Sequence, residues 1–403
     1  LFFSKRDVDN FVSNLLITSR AAAAAGSYQQ VTNRFSTSFQ QANMNQTLQR
    51  LLRQGLAEQV FLGAAAAAAC GIGPARQTWT AWAGVMDSRD QSPVTEDTLF
   101  DLASLSKALA TTLLFYSFFA EGRLRLEDRL ADLLPDAPPD KRQISLRSLL
   151  SHSSGLAAYQ PWFKTFAPVQ KQDNKARLLR LIFNEPLAYA PESRCLYSDL
   201  GFILLGWIAE ELTGKDLAAN FQERIAGPLG LEKELLCQVS VEQRQSCAAT
   251  EQCPWRRRMM RGEVHDEHCW LLNGLAGHAG LFGTVGGVLR LCGVILDNWK
   301  GEENAASSWA AFLAQGLQPQ TWRLGFGRPT PGSSSSGRHF SAQSIGHLGF
   351  TGTSFWIDPE QELIVVLLSN RVHPSRENSR IRQFRPWFHD AAVEAVKASW
   401  QDD

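Results

Sequence analysis

The sequence predicts an α+β protein: segments from the two ends of the chain build one antiparallel sheet flanked by helices, and the middle forms a mostly helical region. Three observations carry this. Strand-like runs concentrate near the ends, at residues 78–85, 343–348, 353–357 and 363–369. Helical periodicity dominates between about 101 and 279, where strands are scarce. The order strand, helices, strand suits segregated layers rather than alternating βα units.

Taken in order, residues 1–43 are polar and rich in Ser, Gln and Asn after a short helix-like opening, and read as an extension without legible chemistry. Alanine runs at 21–25 and 64–69 break the local pattern, the second lying where a strand is expected to continue from Val60, Phe61 and Leu62. From Asn45, a candidate N-cap, Leu48, Leu51, Leu52 and Leu56 recur at helical spacing and predict an amphipathic helix. Periodic segments follow at 105–120, 146–150, 200–212 and 217–225. Asp358-Pro359-Glu360 supplies a turn between the last two strands. The second of these is apolar on both faces and so buried, with a helix over 386–400 to cover it. Pro329 to Gly337, with four consecutive serines, reads as a solvent loop. The expected organisation is an extension over 1–43 and one domain over 44–403, its sheet region drawn from 44–100 and 280–403 and its helical region from about 101–279.

Composition removes several classes of function. The chain has 403 residues, 44% hydrophobic and 20% charged, with 40 basic against 40 acidic side chains. A balanced charge without basic runs gives no field to attract nucleic acid or anionic membrane. No apolar run is long enough to span a bilayer. Seven cysteines, an odd number with no C-x-x-C pair, read as free thiols and favour a reducing, cytoplasmic setting over an oxidising one. His265-Asp266-Glu267-His268-Cys269 lacks His-Glu-x-x-His spacing, so no metal is expected, and His265 and Asp266 are read as packing on a site rim. Gly277 to Gly283 does not follow a strand in a βαβ unit, which disfavours a nucleotide loop, and Thr284 reads as a cap on the next helix.

Three elements can carry chemistry. Ser104-Leu105-Ser106-Lys107 opens a strongly periodic segment, and positions i and i+3 share a helix face, so the Lys107 amine can reach the Ser104 hydroxyl. The alternative is a capping serine beside a solvated lysine. Tyr197-Ser198-Asp199 precedes the helix near Leu200, where a tyrosine near a lysine can act as acid and base, or simply pack in the core. Gly346-His347-Leu348-Gly349-Phe350-Thr351-Gly352-Thr353 places costly glycines in a strand, as an edge that receives a substrate would require, or as a bulge would.

In this order the three elements resemble the serine hydrolases that include class C β-lactamases, penicillin-binding DD-peptidases and family VIII carboxylesterases. The resemblance spans roughly 45–400. It is supported by Leu149-Leu150-Ser151-His152-Ser153-Ser154-Gly155-Leu156, Pro228-Leu229-Gly230-Leu231 and Gly277-His278-Ala279-Gly280-Leu281-Phe282. It implies a β-lactamase/transpeptidase-like fold, a nucleophilic Ser104, a proton-shuttling Lys107 and a Tyr197 acid/base. An oxyanion hole would come from the Ser104 and Phe350 amides, and a third motif lies at His347-Leu348-Gly349. No cofactor is implied, and the partner is a small ester, amide or peptide. Two departures matter. His347 and Leu348 stand where lactamases usually carry Lys and Thr to hold a substrate carboxylate, and Asp199 replaces an asparagine. That aspartate either pairs with Lys107 and keeps it protonated or repels an anionic substrate. Both departures favour esterase-like cleavage of neutral esters or amides through an acyl-enzyme on Ser104. The alternatives are a β-lactamase, a DD-carboxypeptidase, or a penicillin-recognising module that acylates without turnover.

Overall fold

The computed structural model describes residues 30–301, 308–316 and 322–401. Its frame is a seven-stranded antiparallel sheet: β1 (Gly63–Cys70), β2 (Gln77–Gly84), β3 (Trp322–Arg323), β4 (Phe326–Gly327), β5 (Ile345–Leu348), β6 (Ser354–Asp358) and β7 (Leu363–Ser369), in the order β2-β1-β7-β6-β5-β4-β3. The two ends of the chain meet where β1 pairs with β7, from Ala64 opposite Ser369 to Cys70 opposite Leu363. The expected shared sheet is therefore present, and the β6–β7 hairpin turns at Asp358, whose carboxylate accepts the amides of Glu360 and Gln361.

Period-2 alternation divides the interior in two. Ala64, Ala66 and Ala68 with Leu363, Val365 and Leu367 face a core closed by helices α1 (Gln30–Ala57) and the C-terminal Ile381–Gln401. Ala65, Ala67 and Ala69 with Ile364, Val366 and Leu368 face the larger core, which holds the helical region. Every residue of β7 is buried, as its two-sided apolar sequence requires. Alanine is depleted in strands because a methyl buries little. The alanine run is nonetheless a strand because β2 and β7 supply a hydrogen-bond ladder on both of its edges.

Two helix boundaries differ from the sequence expectation. Helix α1 starts at Gln30, so Asn45 is no N-cap; it lies inside the helix and its Oδ1 accepts the Thr80 amide at 3.0 Å, tying α1 to β2. Upstream of Met44, Val31, Phe35 and Phe39 do recur at four-residue spacing, a helical signal masked by the polar Ser, Gln and Asn composition around them. The last helix starts at Ile381 rather than at Pro386, because Ile381 and Phe384 bury in the same core as Phe388. A proline ordinarily marks a helix start, but Pro386 lies inside this helix.

The helical region holds Lys107–Thr112, a wide π-type turn, running into α2 (Leu113–Ala120), then Leu146–Leu150, α3 (Asp199–Thr213) and α4 (Val285–Gly301). The segment around Lys107 is buried on all sides rather than amphipathic. Thr284 caps α4 as expected, its hydroxyl accepting the Gly287 amide at 3.0 Å. A small sheet pairs Phe100–Asp101 with Phe282–Gly283, and the latter with Leu235–Leu236. This brings the turn at 101–104 against the segment around His278. Among the described residues, no helix is long and apolar enough to cross a membrane, and all seven cysteines are free thiols.

Candidate active site

The turn carrying Ser104 is held from three sides. Ala103 has φ 49°, a left-handed conformation that costs an alanine roughly 1–2 kcal/mol. The buried Asp101 carboxylate stabilises it, one oxygen accepting the Ala103 amide at 2.8 Å and the other the His265 amide at 2.6 Å. Burial pushes the Asp101 carboxyl above its ordinary range, against the pull of those amides. Ser106 closes the turn, donating to the Ala103 carbonyl at 2.7 Å. From the far end of the chain, Thr351 Oγ1 donates to the Asp101 carbonyl at 2.7 Å and Thr353 Oγ1 to the Leu102 carbonyl at 3.0 Å. Asp101→Ala strips two buried amides of their acceptor, and a loss of about 2–5 kcal/mol in unfolding free energy is expected by urea denaturation. A loss below about 0.5 kcal/mol would show that the clamp is dispensable.

The Lys107 side chain is fully buried; its Nζ donates to Ser104 Oγ at 2.9 Å and to the His278 carbonyl at 2.8 Å, and it forms an ion pair with Asp199 Oδ1 at 2.7 Å. Burial works against its charge, but Asp199 and then Tyr197 more than offset it, so the Lys107 pKa lies above its ordinary value. Of the two roles open to Asp199 from the sequence, the geometry contains the pairing. The ammonium also lies 5.0 Å from the centre of the Tyr197 ring.

Tyr197 sits in the extended segment immediately ahead of α3, whose N-cap is Ser198, its hydroxyl accepting the Gly201 amide. Burial raises the Tyr197 pKa, while Lys107 and Ser104, both within hydrogen-bonding reach of its hydroxyl, pull it down; the net is upward, a neutral phenol. His152 braces this segment. Its ring packs 4.6 Å from Tyr197 and 4.5 Å from Trp322, and its Nδ1 accepts the Ser198 amide at 3.1 Å. That nitrogen therefore carries no proton, and burial keeps the ring neutral.

The third motif ends β5. Gly349 must lack a side chain, because a Cβ there would come within 1.9 Å of Thr353 Oγ1 and 2.7 Å of the Leu102 carbonyl. This close approach sets the Phe350 amide beside the Ser104 turn. Among the described residues, neither the Ser104 nor the Phe350 amide donates to a backbone acceptor, as two oxyanion donors require. His347 is buried, and its pKa is pushed down to about 3, chiefly by burial and then by Lys107. Its Nδ1 lies 2.9 Å from the Leu348 carbonyl, which only accepts, so Nδ1 holds the proton of a neutral ring. No cation stands at this position.

Ser104, Tyr197, Asp199, His347, Gly349 and Phe350 line one open cavity of about 960 Å³, and Lys107 touches it through Ser104 and Asp199. His265 and Asp266, expected to pack against the site rim, are among the residues that line the cavity. Sequence reasoning assigned no role to Asp101, His152 or His278. The residue whose carbonyl holds Lys107 is itself tied down by a hydrogen bond between His278 Nε2 and Asp266 Oδ1 at 2.8 Å, and although burial works the other way, the neighbouring His278 holds the Asp266 carboxyl well below the usual range. His152 and His278 both fall in stretches already singled out, and a histidine among glycines and serines was the available signal. Asp101, three residues before the serine, carried none.

Comparison with known proteins gives a consistent outcome. The family model described as Beta-lactamase matches residues 48–385. A protein of Escherichia coli (strain K12) named putative D-alanyl-D-alanine carboxypeptidase is 33% identical over 307 residues, covering 69% of this chain and 70% of its own length. An N-acetylmuramyl-L-alanine amidase of Bacillus subtilis (strain 168) is 34% identical over 310 residues, covering 68% of each. The structure of D-amino acid amidase from Ochrobactrum anthropi SV3 shares the fold at 22% identity, with a TM-score of 0.66 over 89% of this chain and 99% of that one.

Proposed function

Because the chain belongs to the beta-lactamase family of serine hydrolases, we propose that it cleaves an amide or ester bond through an acyl-enzyme on Ser104 and that it is no efficient lactamase. One observation supports this above all: Lys107, which donates to Ser104 and the His278 carbonyl and pairs with Asp199, lies beside a neutral Tyr197 on a cavity whose third motif carries no cation. Ser104 Oγ already accepts from Lys107, so its own proton is left for the Tyr197 oxygen. Tyr197 takes that proton as it gives its own to the leaving nitrogen or oxygen, and no free phenolate is needed. The ammonium of Lys107 stabilises the negative charge that develops on both oxygens. The tetrahedral oxyanion is received by the Ser104 and Phe350 amides, and water follows the same relay in reverse to release the acyl group.

The two curated relatives named above act, by their names, on peptide or muramyl-peptide amides, which favours an amide over a simple ester as the natural bond. A panel of p-nitrophenyl butyrate, a peptide ending in D-alanyl-D-alanine, and nitrocefin tests the reading. The ester, which has no carboxylate to be held, is expected to exceed nitrocefin by at least about tenfold in kcat/KM, since one missing charge-assisted contact is worth roughly 1.5–3 kcal/mol. Equal or better nitrocefin turnover would overturn it.

A further inference from the structure

The cavity is far larger than a butyrate ester needs, and its charge is uneven. Four carboxylates line it, and three have partners: Asp199 with Lys107, Asp266 with His278 and Glu267 with Arg376. Only Glu377 is left to face four further lining arginines, Arg328, Arg371, Arg382 and Arg385. Among the described residues none of these four is ion-paired. Arg328 donates one bond, to the Ala342 carbonyl at 2.6 Å, and the exposed Arg382 guanidinium donates none. Arg371 gives Nε to the Phe350 carbonyl at 2.8 Å and Nη1 to the Arg376 and Asn378 carbonyls. Arg385 gives Nη2 to the Gly349 and Thr353 carbonyls, and its buried Nε has no partner.

Arg371, Arg382 and Arg385 also crowd one another, with Arg371 facing both of the others. Burial pushes Arg371 down to about 10, with Arg382 and Arg376 adding to it, and burial with Arg371 pushes Arg385 down to about 9. Clustered cations without a counter-charge are costly unless an anion arrives, and a guanidinium's planar fork matches a carboxylate. Two of the four are anchored on the carbonyls of the 349–353 turn, so the cluster is fixed relative to the oxyanion amide of Phe350. We infer that this arginine wall is an anion subsite that receives a carboxylate of an acidic amide substrate, away from the third motif where His347 offers no cation. The inference rests on the hydrolase reading for the scissile bond and on the arginines for the charge.

Binding to the Ser104→Ala protein separates the two. Two isosteric pairs serve as probes: glutaric acid monoanilide against glutaramide anilide, with the charge on the acyl side, and 4-acetamidobenzoate against 4-acetamidobenzamide, with the charge on the leaving side. By titration calorimetry at low salt, one carboxylate is expected to bind at least about tenfold tighter than its carboxamide, and the advantage to shrink as salt screens it. Arg328→Gln combined with Arg382→Gln is expected to cut that ratio at least about fivefold. No preference in either pair, or a preference that survives both salt and the double replacement, overturns the subsite. Carboxylate preference in a protein whose Ser104 resists a fluorophosphonate would keep the subsite and remove the hydrolase; labelling without preference would do the reverse.

Discussion

Replacing Ser104 with alanine is expected to abolish labelling by a fluorophosphonate probe and to lower ester and amide hydrolysis by at least about 10⁴-fold, the scale seen when a nucleophile is removed from a cooperating site. The argument is local and geometric. Ser104 is the hydroxyl that Lys107 reaches at 2.9 Å, in a turn held by Asp101, Ser106, Thr351 and Thr353. Those clamps do not involve the Ser104 side chain, so the alanine variant should keep its thermal midpoint, and lost activity cannot be ascribed to unfolding. Mass spectrometry of the labelled protein locates the adduct. Unchanged labelling of the alanine variant would move the nucleophile elsewhere.

Lys107→Ala and Tyr197→Phe are each expected to lower kcat by about 10²–10⁴-fold, with the double variant falling no further than the worse single one. In the proposed mechanism both side chains serve one relay: Tyr197 would carry the proton, and Lys107, paired with Asp199, would ease its passage electrostatically. Removing either disables the same step. If the double variant falls by the product of the two factors, the side chains act independently. Lys107→Ala also leaves Asp199 without its cation and the His278 carbonyl without its donor, so single-turnover rates should be taken on protein shown to be folded by near-ultraviolet circular dichroism.

Much of the site was legible because its information is local. Ser104 and Lys107 are one helical turn apart, and the structure holds them in contact. Tyr197-Ser198-Asp199 announces a helix start, and Ser198 caps it. The glycines of 346–352 announce a strand whose end meets another backbone, and Gly349 does so at the Leu102 carbonyl. The antiparallel sheet was equally readable, since β5, β6 and β7 carry strand-forming residues on short connections.

The sequence by itself determined which residue types could react and which segments would be strand or helix, because i,i+3 spacing, period-2 alternation and turn chemistry act within a few residues. It also carried the resemblance that the family match bears out. Tertiary structure alone decided the state of those groups. The buried Lys107 pKa lies above its ordinary value chiefly because Asp199, 92 residues further on, pairs with it, and the His278 carbonyl, 171 residues further on, takes one of its hydrogens. An alanine run is a central strand only because β2 and β7 flank it. Four arginines between 328 and 385 line one cavity only because the sheet edge and the last helix meet there. Charge and desolvation act through space, over distances that spacing along a chain does not encode.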